Sequence, residues 1–258
     1  MQVNVFDMDG VLFRMDDPLP HAAEAVRRVR ARGERVFFLT NNSSKSRDDY
    51  VAKLAQFDIP STPDEIMTSA YATALMFRET GQEGKGVFVV GEAGLKRELQ
   101  EGGMRIVEDA EAEQPDFVVA GWDRQFTYAK LTVAQQAILR GASFIATNRD
   151  KTYPDSGGRL LPGGGAIVAA IETCTDVVPR TIGKPEPYTL EIILKLAGAR
   201  PEECLVIGDR LDTDIGIGKA VGARTALVLT GVSTREDAAA APQQYKPDVV
   251  WNDLSEMA

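Results

Sequence analysis

The chain has 258 residues, 44% of them hydrophobic and 26% charged, and carries a net charge of −9. This length is enough for one large or two modest domains with a real core, and the acidic balance argues against nucleic acid or anionic membranes as partners. No apolar run nears the roughly 20 residues a membrane helix needs, the first residues lack a secretory pattern, and Cys174 and Cys204 lie far apart in apolar segments, so a cytoplasmic protein with reduced thiols is expected.

Val3 to Phe6 is expected to form a short buried strand that stops at Asp7-Met8-Asp9-Gly10. Gly10 allows a sharp turn, and two carboxylates at the end of a buried strand call for a cationic partner, although an ordinary Asp-Gly turn accounts for them equally well in isolation. A helix opens at Pro20 and runs to Arg32, with Gly33 as its stop. The one histidine, His21, rules out sites built on several histidines and reads as a surface or capping residue. Arg35–Leu39 is a second strand, ending in Thr40-Asn41-Asn42-Ser43-Ser44; a helix follows over 46–57. Thr62-x-x-Glu65 has the form of a capping box, Ile66-Met67 of a brief strand, and 69–80 of a helix. This alternation implies a mostly parallel sheet covered on both faces.

Residues 81–86 are polar and glycine-rich, which suits a hinge. The alternation then restarts with strands at 87–90, 117–120 and 144–146 and helices at 93–100, 127–141 and 165–173. Ile182-Gly183-Lys184-Pro185 precedes a helix at 188–197; a strand at 204–207 runs into Gly208-Asp209-Arg210-Leu211-Asp212-Thr213-Asp214. A helix at 215–221, a strand at 225–229 and a capping box at Ser233-x-x-Glu236 complete the chain, and Asp212 is expected to cap the helix that carries Asp214. The expected fold is therefore α/β: a doubly wound, mostly parallel, Rossmann-like core sheet from residues 1–80 and 182–258, with a separate α/β cap at 81–181 inserted between them.

Doubly wound sheets bind ligands beyond the carboxyl ends of their strands, where Asp7, Asp9, Thr40, Asn41 and Asp209 all fall. Carboxylates converging there repel by about 4 kcal/mol per close pair at an effective dielectric of about 20. A divalent cation cancels that repulsion, and all-oxygen ligation suits Mg²⁺. A hydroxyl, amides and a lysine around the same point suit phosphate oxygens. An aspartate can then attack phosphorus while a second acid moves the proton. The bland alternatives are that Thr40-Asn41 caps a turn, that Lys184 is a solvated loop residue, and that Asp214 answers the helix dipole.

The stretches 6–12 (FDMDGVL), 40–44 (TNNSS), 146–150 (ATNRD), 161–172 (LPGGGAIVAAIE), 182–187 (IGKPEP) and 206–215 (VIGDRLDTDI) resemble, in order, the haloacid dehalogenase superfamily of phosphatases. Within it the chain is similar to the subgroup with a type IIA cap, which includes NagD-like nucleotide, 4-nitrophenyl phosphate, phosphoglycolate and pyridoxal phosphate phosphatases. The resemblance implies Asp7 as nucleophile and Mg²⁺ ligand. It makes Asp9 a ligand through its carbonyl and the acid–base through its side chain. Thr40, Asn41 and Asn42 would hold the phosphoryl group with Lys184, Asp209 would be the third ligand, and Asp214 would support the metal's waters or Lys184. An acid at Asp9 favours phosphate esters, because a departing chloride needs no proton.

In this subgroup specificity residues project from the cap, which makes Asn148, Arg149 and Tyr153 candidate substrate contacts; Asn148 and Asp150 as loop-shaping residues are the even alternative. The pair Tyr153-Pro154 stands where the pyridoxal enzyme has His-Pro, a departure that weakens a claim to pyridoxal phosphate. His21 stands where relatives usually have glycine. The expected activity is Mg²⁺-dependent hydrolysis of a small phosphomonoester such as a sugar phosphate, nucleotide or phosphoglycolate. The alternatives are phosphoryl transfer to a second alcohol and a catalytically silent phosphate-binding protein. A signalling receiver is about half as long and has its acceptor aspartate on the third strand. The partners expected are the phosphate ester, no nucleic acid and no membrane, with a homodimer left open.

Overall fold

The computed structural model describes residues 2–110, 112–154 and 159–257. By its contacts the chain divides into two compact units, one of residues 1–40, 48–67 and 184–258 and the other of residues 41–47 and 68–183. The helix Ser69–Glu79 and the segment after Thr40 thus group with the second unit. No helix among the described residues is long and apolar enough to cross a membrane.

A six-stranded sheet runs in the order Val249–Trp251, Arg224–Val228, Cys204–Gly208, Val3–Asp7, Arg35–Thr40 and Ile66–Thr68. Val3–Asp7 lies parallel between Cys204–Gly208 and Arg35–Thr40, with Val3 opposite both Cys204 and Arg35. All five residues of Val3–Asp7 are buried, as in a strand covered on both faces. Register decides the chemistry here. Because Asp7 lies opposite Leu39 and Phe6 opposite Ile207, the carboxyl ends of the three strands finish level, and Asp7, Thr40 and Asp209 leave the sheet along one edge. Beneath them Phe6, Met8, Phe13, Phe38, Tyr50 and Leu54 belong to one buried cluster. Burying aliphatic and aromatic side chains of this size is worth about 1.5–3 kcal/mol each.

In the second unit a five-stranded parallel sheet runs in the order Arg180–Thr181, Ser143–Ala146, Phe117–Ala120, Gly86–Val90 and Arg105–Ile106. The helices Tyr128–Leu139 and Gly164–Thr175 pack together and contribute Ala134, Ala137, Val168 and Ile171 to its core. Strands Thr152–Pro154 and Leu160–Pro162 pair antiparallel.

Several local expectations shift. The last capping box is Thr234-x-x-Asp237, one residue beyond the one expected, with Thr234 Oγ1 accepting from the Asp237 N–H at 3.1 Å and Asp237 accepting from the Thr234 N–H at 2.9 Å. Ser233 instead accepts from the Leu211 N–H. Asp212 does not cap: it is exposed and pairs with Arg210, while Leu211–Ile215 forms a π-helical turn ahead of the helix Gly216–Val221. Val249–Trp251 and Arg105–Ile106 were not expected as strands, being too short to show a period of two. His21 precedes the helix Ala22–Ala31 in the left-handed region, φ +65°, a conformation that glycine adopts more readily.

Candidate active site

The Val3–Asp7 strand ends in a tight turn in which the Gly10 N–H donates to the Phe13 carbonyl at 2.8 Å and the Leu12 N–H to the Met8 carbonyl at 2.9 Å. Gly10 has φ +85°, which disfavours any side chain, and a Cβ there would also lie 2.6 Å from Asp209 Oδ2. The turn therefore brings Asp7 beside the acids that follow Cys204–Gly208. Asp7, Asp209 and Asp214 each present a carboxylate oxygen within 4.8 Å of the others, and all three are buried.

Lys184 Nζ donates to Asp7 Oδ1 and to Asp214 Oδ1, both at 2.6 Å, and is itself only 4% exposed. It is not a solvated loop residue. Asp214 also accepts, through Oδ2, from the N–H groups of Asp209 at 3.2 Å and Arg210 at 3.1 Å. With one oxygen on Lys184 and the other on this turn, Asp214 holds the lysine and the backbone in place. Gly208 makes room for it, since a Cβ there would fall 2.1 Å from that of Asp214. Asp209 accepts the Val232 N–H on Oδ2 at 2.7 Å.

Three carboxylates against one ammonium leave two uncompensated negative charges. Burial, followed by the charge of Asp214, pushes Asp209 up to about 7. Burial also raises Asp7 well above the carboxylate range against the pull of Lys184, with Asp214 and Asp209 adding to the rise. For Lys184 burial alone would lower the value, but Asp214 and Asp7 together hold it above an ordinary lysine. The oxygen-only donor set and the missing two charges both fit a hard divalent cation.

Asp9 stands outside this cluster. It is half-buried, and after burial itself its charge is the next cause keeping the buried Tyr50 phenol protonated. Thr40 is buried at the end of Arg35–Thr40.

The remaining candidates belong to the second unit. The Asn41 amide donates to Asp150 Oδ1 at 3.1 Å, and its carbonyl accepts from Ser69 Oγ and Asn148 Nδ2, both at 2.6 Å. Asn148 is 2% exposed and also accepts the Asp150 N–H, so its amide shapes this loop. Asn42 Oδ1 accepts from the N–H and hydroxyl of Ser44, a turn-forming arrangement. Arg149 pairs with Glu172. Tyr153 meets Trp122 edge-on at 4.2 Å and lines a cavity of about 380 Å³ with Phe126, Leu161 and Ile167. Sequence reasoning missed Thr230 and Gly231, beside Gly10 and Asp209; the Thr-Gly pair directly after a strand was the available signal.

Residues 4–105 match the haloacid dehalogenase-like hydrolase family, and residues 181–257 match a second, HAD-hydrolase-like family. The 5'-nucleotidase YutF of Bacillus subtilis is 38% identical over 232 residues, 90% of this chain and 88% of the relative. The chain is a haloacid dehalogenase-like hydrolase. Among solved structures, a glycerol phosphate phosphatase from Mycobacterium tuberculosis in complex with magnesium superposes on the hydrolase with a TM-score of 0.91 at 35% identity, covering 98% of this chain and 75% of that one. The same phosphatase has been solved with calcium. NagD from Escherichia coli K-12 superposes with a TM-score of 0.89 at 33% identity, covering all of this chain and 98% of that one, which places the hydrolase in the NagD-like subgroup.

A proton held by Asp209 up to about 7, against an ordinary value of 3.8, makes the metal-free fold lose stability as pH rises between those values. A cation needs the ionised form, so the rise in Tm on adding Mg²⁺ is expected to be larger at pH 8 than at pH 5.5; equal shifts would contradict this. Replacing Asn148 by Ala strands buried polar groups and is expected to cost about 1–3 kcal/mol in urea unfolding. Replacing Arg149 by Ala, which removes only a partly exposed ion pair, is expected to cost about 0–1 kcal/mol.

Proposed function

We propose that the hydrolase is a Mg²⁺-dependent phosphatase of small phosphomonoesters that works through a phosphoryl group transiently carried on Asp7. The observation that carries this reading is the placement of Asp7, with one oxygen held by Lys184 at 2.6 Å and Asp209 and Asp214 close by. Asp7 and Asp209, with the Asp9 carbonyl, would hold Mg²⁺. When bound, the ion offsets the charge of these acids and of the phosphoryl oxygens, which allows an anionic nucleophile to approach an anionic ester.

Lys184 turns the Asp7 carboxylate toward the phosphorus and shares the charge that develops on the phosphoryl oxygens. Thr40, at the end of its strand, and Asn41, the next residue, are the proposed donors to those oxygens; Asn42 would act by shaping the loop. Asp9 lies outside the acid cluster, as suits a group that must exchange protons: it protonates the departing alkoxide and later removes a proton from the water that attacks the phosphoryl-aspartate. The second unit is proposed as the cap that selects the leaving group, with the cavity beside Trp122 and Tyr153 as its recognition surface. The relatives named above act on a nucleotide or on glycerol phosphate, so the substrate proposed is a class, small metabolite phosphates. Two free thiols, Cys174 and Cys204, support a reducing, cytoplasmic location.

With Mg²⁺ and 4-nitrophenyl phosphate, Asp7→Asn is expected to lower kcat by at least about a thousandfold while phosphate binding persists. In kcat/KM, which reports transfer to Asp7 and not the later attack by water, Asp9→Asn is expected to slow an alkyl phosphate far more than 4-nitrophenyl phosphate, whose leaving group departs without a proton. Normal turnover by Asp7→Asn would remove the nucleophile assignment, and an equal loss of kcat/KM on both substrates by Asp9→Asn would remove the acid.

A further inference from the structure

The loop at 229–233 follows the strand Arg224–Val228, contributes no acid, and nevertheless meets both segments that would carry the cation's ligands. Thr230 Oγ1 donates to the Gly10 carbonyl at 2.6 Å across 220 residues of sequence. The next two residues enclose Asp209: the Val232 N–H donates to its Oδ2 at 2.7 Å and a Cβ on Gly231 would lie 1.9 Å from the same oxygen. The Ser233 N–H donates to the Asp209 carbonyl at 3.0 Å. Arg14, just beyond the Asp7–Gly10 turn, fastens the loop in return by donating to the Thr230 carbonyl at 2.6 Å.

We propose that this loop is a positioning element of the cation site, with Thr230 as the side chain through which it reaches the Asp7–Gly10 turn. The inference rests on reading the acid cluster as a Mg²⁺ site. Gly10, at φ +85°, is free to swing unless its neighbours are held. The peptide joining Asp9 to Gly10 is fixed by the Gly10 N–H on the Phe13 carbonyl, and the following peptide is fixed by Thr230. Together these set the direction of the Asp9 carbonyl. On the other side, Oδ2 of Asp209 is committed to Val232 between two glycines, which leaves Oδ1 for the cation. Partners that orient metal ligands in this way typically govern affinity by about 10–100-fold.

The test is calorimetric titration of the full chain with Mg²⁺ alone, accompanied by the metal-free Tm of each variant. Thr230→Val, which keeps the shape and loses the hydroxyl, is expected to bind Mg²⁺ about tenfold more weakly. Thr230→Ser, which keeps the hydroxyl, is expected to stay within about twofold of the parent. Gly231→Ala must displace the Asp209 carboxylate and is expected to weaken binding at least as much as Thr230→Val, giving an independent reading should Thr230→Val fold poorly. Parent-like affinity in Thr230→Val or in Gly231→Ala overturns the proposal, as does a Thr230→Ser variant as weak as Thr230→Val. Asp209→Asn serves as the reference. If it binds Mg²⁺ like the parent, the cation reading itself fails and takes this inference with it; if it loses Mg²⁺ while the loop variants do not, only the loop's role fails.

Discussion

The structure depends on holding three largely buried aspartates together. At an effective dielectric of about 20, two such charges about 4 Å apart repel by about 4 kcal/mol, and one ammonium cannot satisfy all three. Lys184 answers Asp7 and Asp214 directly. Burial first, and then the neighbouring acids, push Asp7 and Asp209 above the usual carboxylate range, so the excess is relieved either by protons or by a divalent ion. A site poised between those two states is well suited to recruit a cation together with a phosphate dianion.

Backbone architecture makes that crowding feasible. Parallel strands in level register deliver Asp7, Thr40 and Asp209 to one edge. Glycines then let the carboxylates nest against main chain, with Gly10 and Gly231 against Asp209 and Gly208 against Asp214. The acids receive N–H groups from Val232, Asp209 and Arg210, so much of the stabilisation comes from backbone donors that substitutions other than proline leave in place. In the second unit the holding groups are side chains: Ser69 and Asn148 donate to the Asn41 carbonyl, and the Asn41 amide donates to Asp150.

The core strands were legible in their apolar runs, whereas the acids at their ends were assigned by the order of six motifs that resemble one superfamily, since an Asp-Gly turn fits Asp7 to Gly10 equally well in isolation; Asp7, Asp209, Asp214 and Lys184 do converge. What could not be read was direction at short range. Asn148 sits in a segment that resembles a substrate-binding motif, yet its amide is spent on the Asn41 carbonyl, a partner 107 residues away in sequence. Thr230 and Gly231 gave only a turn signal, because their importance lies in what a side chain would strike. Ser233 and Thr234 both qualify as helix caps by composition, and only the observed backbone selects Thr234. Strands of two or three residues, such as Arg105–Ile106, carry too little periodicity to declare themselves.

The chemistry turns on whether the Asp7 carboxylate itself becomes phosphorylated during turnover. Borohydride added during steady-state hydrolysis of 4-nitrophenyl phosphate reduces an acyl phosphate to an alcohol, and peptide mass spectrometry then locates the change. The expected result is that Asp7 is reduced only when substrate and Mg²⁺ are both present, with Asp9, Asp209 and Asp214 intact. Reduction at a different acid, or full turnover with no reduction at Asp7, would contradict a phosphoryl-aspartate at this position.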